Sequence, residues 1–284
     1  MSVDLHTHSK SSDGSLPPAA LAQEAKCLGL TAVALTDHNT VSGIPQFMAA
    51  AARLDITAVA GVELSTVCDG RELHLLGLFI PPEHYESITA LTKRYRDCKE
   101  QSNMDLAGRL TADGYTVDYE KLRRENPDRV INRALIAEVL MAEGHVPSVK
   151  AAFDTLLGEG MGYYTPPERL DFFDAIRFLR SIHTLPVWAH PLQYADEPTV
   201  RSILPRAVEA GLLGIEVMHS SYGEDTVARA KALADEFCLL YSGGSDFHGT
   251  AKPTVKLGVG SSTAGSLNIP DEYFEKLYAR ARGL

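Results

Sequence analysis

The chain has 284 residues, 45% of them hydrophobic and 23% charged, ordinary proportions for one large globular domain or a domain carrying an insertion. Its formal net charge of −10, from 27 Lys+Arg against 37 Asp+Glu, argues against broad nucleic-acid binding, and no duplex partner is expected. No run approaches the ~20 apolar residues of a membrane span, and the first residues lack a basic stretch followed by an apolar core, so neither a membrane anchor nor a secretory signal is expected.

In chain order, a short strand at Val3–His6 ends in the loop HTHSKSSDG. Pro17 and Pro18 lead into a helix spaced by Ala20, Leu21, Ala25 and Leu28 and closed by Gly29. TAVALTDH is a mostly apolar strand of the kind buried on both faces of a parallel sheet. An Ala-rich helix from about Ser42 to Leu54 and the strand ITAVAGVELS complete a βαβαβ rhythm. ELHLLGLFI at 72–80 reads as a fourth strand, and there the rhythm breaks. Residues 85–169 are helical and more polar, with the basic cluster KLRRENPDR at 121–129. They read as an inserted helical subdomain, a substrate cap, between barrel segments 1–84 and 170–284. The alternation resumes with a helix near Asp171–Ile182, strand LPVWAHP, a helix near Thr199–Ala210, strand LLGIEVMHS, a helix from about Asp225 to Phe237 and strand CLLYSGGSDFH. The expected fold is α/β, a distorted TIM-like (β/α)7 barrel whose active site lies on the loops beyond the strand carboxyl ends. The four cysteines (Cys27, Cys68, Cys98, Cys238) form no CxxC pair, a pattern of reduced thiols in a cytoplasmic protein.

Chemistry-bearing residues collect at those carboxyl ends. Strand one supplies His6, His8 and, in its loop, Asp13; strand two supplies Asp37 and His38; strand three supplies Glu63. His74 lies within the fourth strand, and the later strands supply His190, Glu216, His219, Asp246 and His248. Seven of the ten histidines thus fall on one rim, while His84, His145 and His183 lie in helical or linker segments and receive no role. Any one of these is an unremarkable structural polar residue. Together they would be costly to bury without compensating cations, which coordinated divalent metals supply. Nitrogen and oxygen donors without thiolate suit Mn, Fe or Zn, and the number of candidates suits two or three ions. His6 and His8 share one face of an extended chain and can clasp one ion together, and Asp246 and His248 repeat that spacing.

DLHTHSKSSDG, LTDHNT, GVELS, LHLLG, WAHP and GGSDFHG together resemble the polymerase and histidinol phosphatase (PHP) family of metal-dependent phosphoesterases. The resemblance covers nearly the whole chain and maps nine metal-ligand positions onto His6, His8, Asp13, His38, Glu63, His74, His190, Asp246 and His248, none of them substituted. It implies a trinuclear cluster: one ion on His6, His8, Glu63 and Asp246, a second on Glu63, His74 and His190, a third on Asp13, His38 and His248. Asp37 is expected to orient a ligand imidazole through its second nitrogen, and Asp4 to serve structure.

The activity implied is hydrolysis of a phosphomonoester of a nucleotide, a 3′,5′-bisphosphonucleotide or an AMP-like molecule, by metal-activated hydroxide. Three divalent ions and the carboxylates of Asp13, Glu63 and Asp246 leave the rim locally about +3, attractive to a phosphate. Asp246 and His248 belong to the catalytic group, with His219 the candidate that protonates the leaving oxygen. In the insertion, Lys121, Arg123 and Arg129 read as a solvated face. Arg133, beginning a helix after Asn132 and helped by Arg124, is expected to grip a second, uncleaved phosphate. Tyr163, Tyr164, Tyr222 and His219 are candidate stacking partners for a base. The competing readings are a 5′-3′ exoribonuclease on short 5′-phosphorylated RNA, a histidinol-phosphate phosphatase, and a non-catalytic metal-binding module. A metal-dependent amidohydrolase also carries HxH on its first barrel strand, but usually with a metal-bridging lysine or other spacing.

Overall fold

The computed structural model describes residues 2–125, 131–261 and 267–283. Arg129, expected on a solvated face, lies outside them. The chain divides into two compact units, one of Met1–Ala90 and Leu170–Leu284 and the other of Leu91–Arg169.

The first unit opens with β1 (Ser2–Asp4), α1 (Pro18–Cys27), β2 (Ala32–Leu35) and α2 (Ile44–Leu54). Both helices carry a proline in the first turn, where its missing N–H leaves no bond unmade. Each buries one stripe, Leu21, Ala22 and Ala25 in α1 and Phe47, Ala50 and Ala51 in α2. All four residues of β2 are buried, as parallel strands covered on both faces require.

β3 (Thr57–Cys68) and β4 (Arg71–Leu78) then form a hairpin through Asp69 and Gly70, both at positive φ (49° and 78°), the geometry that makes Asp-Gly a hairpin turn. The barrel is therefore less regular than seven parallel βα units. β4 is antiparallel to β3 on one side, with Ser65 opposite His74, and to the later strand β5 (Leu185–Trp188) on the other.

The helical unit takes in α3 (Tyr85–Ala112) from Leu91 onward, then α4 (Tyr119–Glu125), α5 (Arg133–Ala142) and α6 (Val149–Ala152). It has its own apolar core, including Leu106, Leu110, Leu122, Ile136, Leu140 and Leu157.

The first unit resumes with α7 (Phe172–Ser181), β5 (Leu185–Trp188), α8 (Pro191–Tyr194), α9 (Glu197–Ala210), β6 (Gly214–His219), α10 (Glu224–Glu236) and β7 (Leu240–Gly244). A small hairpin of β8 (Val255–Lys256) and β9 (Gly260–Ser261) precedes β10 (Ile269–Pro270) and α11 (Asp271–Ala281). Capping side chains fix where helices begin: Asp171 accepts the N–H groups of Phe173 and Asp174, and Asp196 that of Thr199.

The sheet order is β10-β1-β2-β3-β4-β5-β6-β7, and the two ends of the β1–β7 run meet. The Leu5 N–H donates to the Gly243 carbonyl (3.1 Å), the Asp246 N–H to the His6 carbonyl (2.9 Å), and Thr7 bridges Phe247 in parallel. Thus β1 ends at Asp4, two residues earlier than expected, yet its backbone is carried onward to His8, whose N–H donates to Phe247 (2.9 Å). The closure is tight: a Cβ on Gly244 would stand 2.1 Å from that of His6, so only glycine fits there. Asp4, fully buried, seals the seam. It accepts the Ser245 N–H (2.9 Å), the Ser245 hydroxyl (2.6 Å) and the Gly258 N–H (2.8 Å). Burial raises its pKa, a shift those hydrogen bonds oppose. Among the described residues no helix is long and apolar enough to cross a membrane.

Candidate metal centre

Most of the sheet is packed in ordinary hydrophobic core, with Val33, Leu64, Leu75, Val187 and Ile215 all buried. Its carboxyl-end rim is different. His6, His8, Glu63, His190, Glu216, His219, Asp246 and His248 are buried there as well, and such groups are costly to bury unless something compensates them.

Glu63 lies at the middle. Its Oε2 is 3.1 Å from His6 Nε2, 3.2 Å from His8 Nε2 and 3.1 Å from His38 Nδ1. Its Oε1 is 2.9 Å from His74 Nδ1 and 3.0 Å from His190 Nε2. Five imidazoles, carried by the four strands β1, β2, β4 and β5 or the loops just beyond them, thus converge on one carboxylate. Burial alone would raise the pKa of Glu63, but the charges of His6 and His38 outweigh it and hold Glu63 well below the usual range. Asp246 behaves alike, burial being overcome by His219 and His8. Asp13, more exposed in its loop, stands 3.3 Å from His248 Nε2 and 3.8 Å from both His8 Nδ1 and His38 Nε2.

Three groups bring ligand atoms close enough to hold a cation: His6, His8, Glu63 and Asp246; His38, Glu63 and His74; and His8, Asp13, His38 and His248. Several of these atoms are near one another yet badly aligned for hydrogen bonds. His8 Nδ1, His38 Nδ1, His74 Nδ1 and Glu63 Oε2 are buried without a hydrogen-bond partner. Nitrogen lone pairs and carboxylate oxygens that converge without bonding fit divalent cations of the Mn, Fe and Zn kind.

Neighbouring groups aim the imidazoles. His6 Nδ1 donates to Glu216 (3.0 Å), leaving Nε2 turned to the rim, and Glu216 also accepts the His190 N–H (2.8 Å). His248 Nδ1 donates to the Asp246 carbonyl (2.8 Å), which likewise frees its Nε2. These contacts fix tautomer and ring direction as metal ligands require. Burial disfavours charge on His6, but Glu216 and Glu63 raise its pKa well above the ordinary value. On His74 burial is outweighed by the facing Glu63 and Glu72, which raise it to about 9; burial holds His38 down at about 4. His190 and Asp246 have positive φ (31° and 56°), a conformation non-glycine residues adopt at some cost and mostly at functional sites.

Asp37 does not orient an imidazole. It accepts the Ser9 N–H, the Ser9 hydroxyl and the Ser12 hydroxyl, each at 2.7 Å, and so fixes the loop that carries Asp13. The carboxylate that orients His6 is Glu216, 210 residues away in the chain. Tyr222 is buried with its hydroxyl accepting the Leu192 N–H (2.8 Å), so its ring backs His219 rather than lying open to a base. Two neighbours had no sequence signal. Tyr194 is 63% exposed, its ring edge-on to His190 and His74 at 5.5 and 6.3 Å, and Lys252 Nζ lies 2.7 Å from Asp246 Oδ2.

Within the helical unit, Arg133 lies over the Tyr164 ring at 3.9 Å and donates through Nη1 to the Leu157 carbonyl (3.1 Å). Asn132 caps α5 by accepting the Leu135 N–H (3.0 Å). Arg124 lies on the exposed face of α4, and Arg123 pairs with Glu100. The Tyr163 hydroxyl donates to Asp113 (2.6 Å).

A barrel with imidazoles and carboxylates gathered at its strand carboxyl ends defines a metal-dependent hydrolase. Residues 4–172 match the PHP domain. The chain belongs to that family and is a metal-dependent phosphoesterase. It is 32% identical to a 5′-3′ exoribonuclease of Haemophilus influenzae, across 86% of this chain and 89% of the relative. It is 31% identical to a 3′,5′-nucleoside bisphosphate phosphatase of Chromobacterium violaceum, across 87% of each. To a phosphoribosyl 1,2-cyclic phosphate 1,2-diphosphodiesterase of Eggerthella lenta it is 30% identical, across 88% and 95%. Among solved structures it resembles a Bifidobacterium adolescentis protein provisionally classed as a metal-dependent phosphoesterase, with TM-score 0.70, 25% identity and coverage of 98% and 96%. It is also similar to an amidohydrolase from Chromobacterium violaceum with sulfate bound and no metal, with TM-score 0.71, 27% identity and coverage of 99% and 97%.

Proposed function

We propose that this chain hydrolyses a phosphomonoester of a nucleotide, a 3′,5′-bisphosphonucleotide or an AMP-like molecule, at a rim holding two to three ions of Mn, Fe or Zn. The ligands are His6, His8, Asp13, His38, Glu63, His74, His190, Asp246 and His248; eight of them fall in the three overlapping groups, and His190 stands outside those groups, with its Nε2 3.0 Å from Glu63. When bound, the ions supply Lewis-acid charge to the phosphoryl oxygens and a nucleophilic water at neutral pH. The observation that carries this reading is the convergence of five imidazoles on Glu63, with several donor atoms left unpaired.

His219 is the proton donor to the leaving oxygen. The Ser221 N–H can only donate, and it meets His219 Nδ1 at 3.2 Å, with the Ser221 hydroxyl at 2.8 Å. Nδ1 is therefore the acceptor and the proton sits on Nε2, a buried atom without a partner that lies 3.5 Å from Asp246 Oδ2. An imidazole whose Nε2–H is directed at the rim is in position to hydrogen-bond the leaving oxygen and pass it a proton. The exposed Tyr194 ring offers a base or ribose an apolar face. Arg133, with Asn132 and Arg124 as further candidate contacts, grips the uncleaved phosphate; a guanidinium has five donors and the Leu157 carbonyl takes one from Nη1. Short 5′-phosphorylated RNA is the second reading, favoured by the 32% identity to an exoribonuclease.

Ranking kcat/KM on metal-loaded protein for 3′,5′-bisphosphonucleotides, AMP, histidinol phosphate, 5′-phosphorylated oligoribonucleotides and cyclic phosphodiesters tests this. Bisphosphonucleotides should lead. A preference for histidinol phosphate, or no turnover of any nucleotide, would remove the reading.

A further inference from the structure

The two oxygens of Asp246 face different surroundings. Oδ1 belongs to the group with His6, His8 and Glu63, 3.2 Å from His8 Nε2 and 3.7 Å from His6 Nε2. Oδ2 takes the ammonium of Lys252 at 2.7 Å and lies 3.5 Å from His219 Nε2. Lys252 follows the single turn Gly249–Ala251, and its side chain is 41% exposed where that of Asp246 is 8% exposed. The ammonium thus occupies the solvent side of a carboxylate whose inner oxygen faces an ion site.

As a counter-ion this lysine is redundant. Imidazoles of His6, His8, His219 and His248 already approach Asp246 within 3.7 Å. In the metal-loaded state a divalent ion joins them, and an added ammonium beside that ion is repelled. An anion lying against both the ion and the lysine reverses the sign of that interaction. A long stem with a compact ammonium can leave Oδ2 for such an anion without moving backbone.

We propose that Lys252 is a clamp for the substrate phosphoryl group, gripping a non-bridging oxygen beside the ion held by His6, His8, Glu63 and Asp246. In the substrate-free protein Oδ2 of Asp246 parks the ammonium. When phosphate arrives, Nζ transfers to it, and His219 Nε2, on the same side of Asp246, is left facing the leaving oxygen. The clamp rests on the reading of Asp246 as a metal ligand.

The test compares metal-loaded wild type with Lys252→Met and Lys252→Arg. Ion content is measured by elemental analysis, inorganic phosphate binding by calorimetry, and KM and kcat on a 3′,5′-bisphosphonucleotide. Lys252→Met should keep its ions, bind phosphate about tenfold or more weaker and raise KM by a similar factor, while Lys252→Arg recovers most of both. A methionine variant whose phosphate affinity and KM change by less than about twofold, or one that loses ions in step with phosphate affinity, overturns the clamp and leaves the phosphoesterase reading standing. Wild-type protein that binds phosphate equally well with and without ions overturns both.

Discussion

Glu216 accepts the Nδ1–H of His6 at 3.0 Å, and that bond turns His6 Nε2 toward Glu63, 3.1 Å away. The same carboxylate holds the His190 N–H, so one side chain on β6 sets two neighbouring imidazole-bearing segments. Glu216 touches none of the three ligand groups in their interiors, and its effect on them is through orientation.

Glu216→Ala should therefore lower metal affinity by about 10- to 100-fold, and Glu216→Gln by less, because an amide oxygen can still accept one of the bonds. Competition with a chelator of known affinity measures this. Unchanged affinity in the alanine variant would show that His6 is held by packing alone.

Metal uptake should release protons and tighten as pH rises. His74 is raised to about 9 in the metal-free chain by Glu63 and Glu72 against the opposing effect of burial, so at neutral pH an ion must displace its proton. His38, held near 4 by burial, is already neutral there. The sign for stability follows. His74 has a folded pKa above its unfolded value of about 6.5. It therefore stabilises the metal-free fold fully below about 6.5, and that contribution fades as pH climbs through about 9. Proton release on Mn addition in weak buffer, and metal-free unfolding midpoints at several pH values, report the two effects.

His219→Ala should keep its ions and lose about 10²- to 10⁴-fold in kcat on a nucleotide substrate. The loss should shrink markedly on p-nitrophenyl phosphate, whose leaving group needs no proton. Equal losses on both substrates would remove His219 from the role of general acid.

Gly244→Ala places a methyl where His6 already stands, 2.1 Å from its Cβ and 2.5 Å from its backbone nitrogen. The change should cost about 1–3 kcal/mol in stability and reduce ion content, although glycine binds nothing. Denaturant midpoints with and without metal would separate the two losses.

Much of this was legible in the sequence because it is local. HTH and SDFH announce paired ligands, and Thr-Asp-His follows an apolar strand. The antiparallel course of β4 was also written down, in the Asp69-Gly70 pair between two apolar runs, but a strand-counting reading passes over it. Asp37 lies beside His38 in the sequence, which suggests an imidazole partner, whereas its acceptors are used by Ser9 and Ser12. Tyr194 and Lys252 could not be found from spacing, and Glu216, legible at its strand end, could not be given its role, since their partners His74, Asp246 and His6 become neighbours only when the strands close into a ring.

That ring closes through Asp4, which ties the start of the chain to Ser245 and Gly258, and through β10, which pairs Ser2 and Val3 with Pro270 and Ile269. Residues beyond His248 thus hold His6 and His8 in register without contributing a ligand of their own. A cut after His248 would leave all nine candidate ligands and the direct His6–Asp246 bond in the polypeptide, yet strip the seam of the Gly258 bond to Asp4 and of the β10 pairing to β1. The cluster is in that sense braced from outside itself: Gly258 and Ile269–Pro270, which carry no candidate ligand, help to hold the strand that delivers His6 and His8.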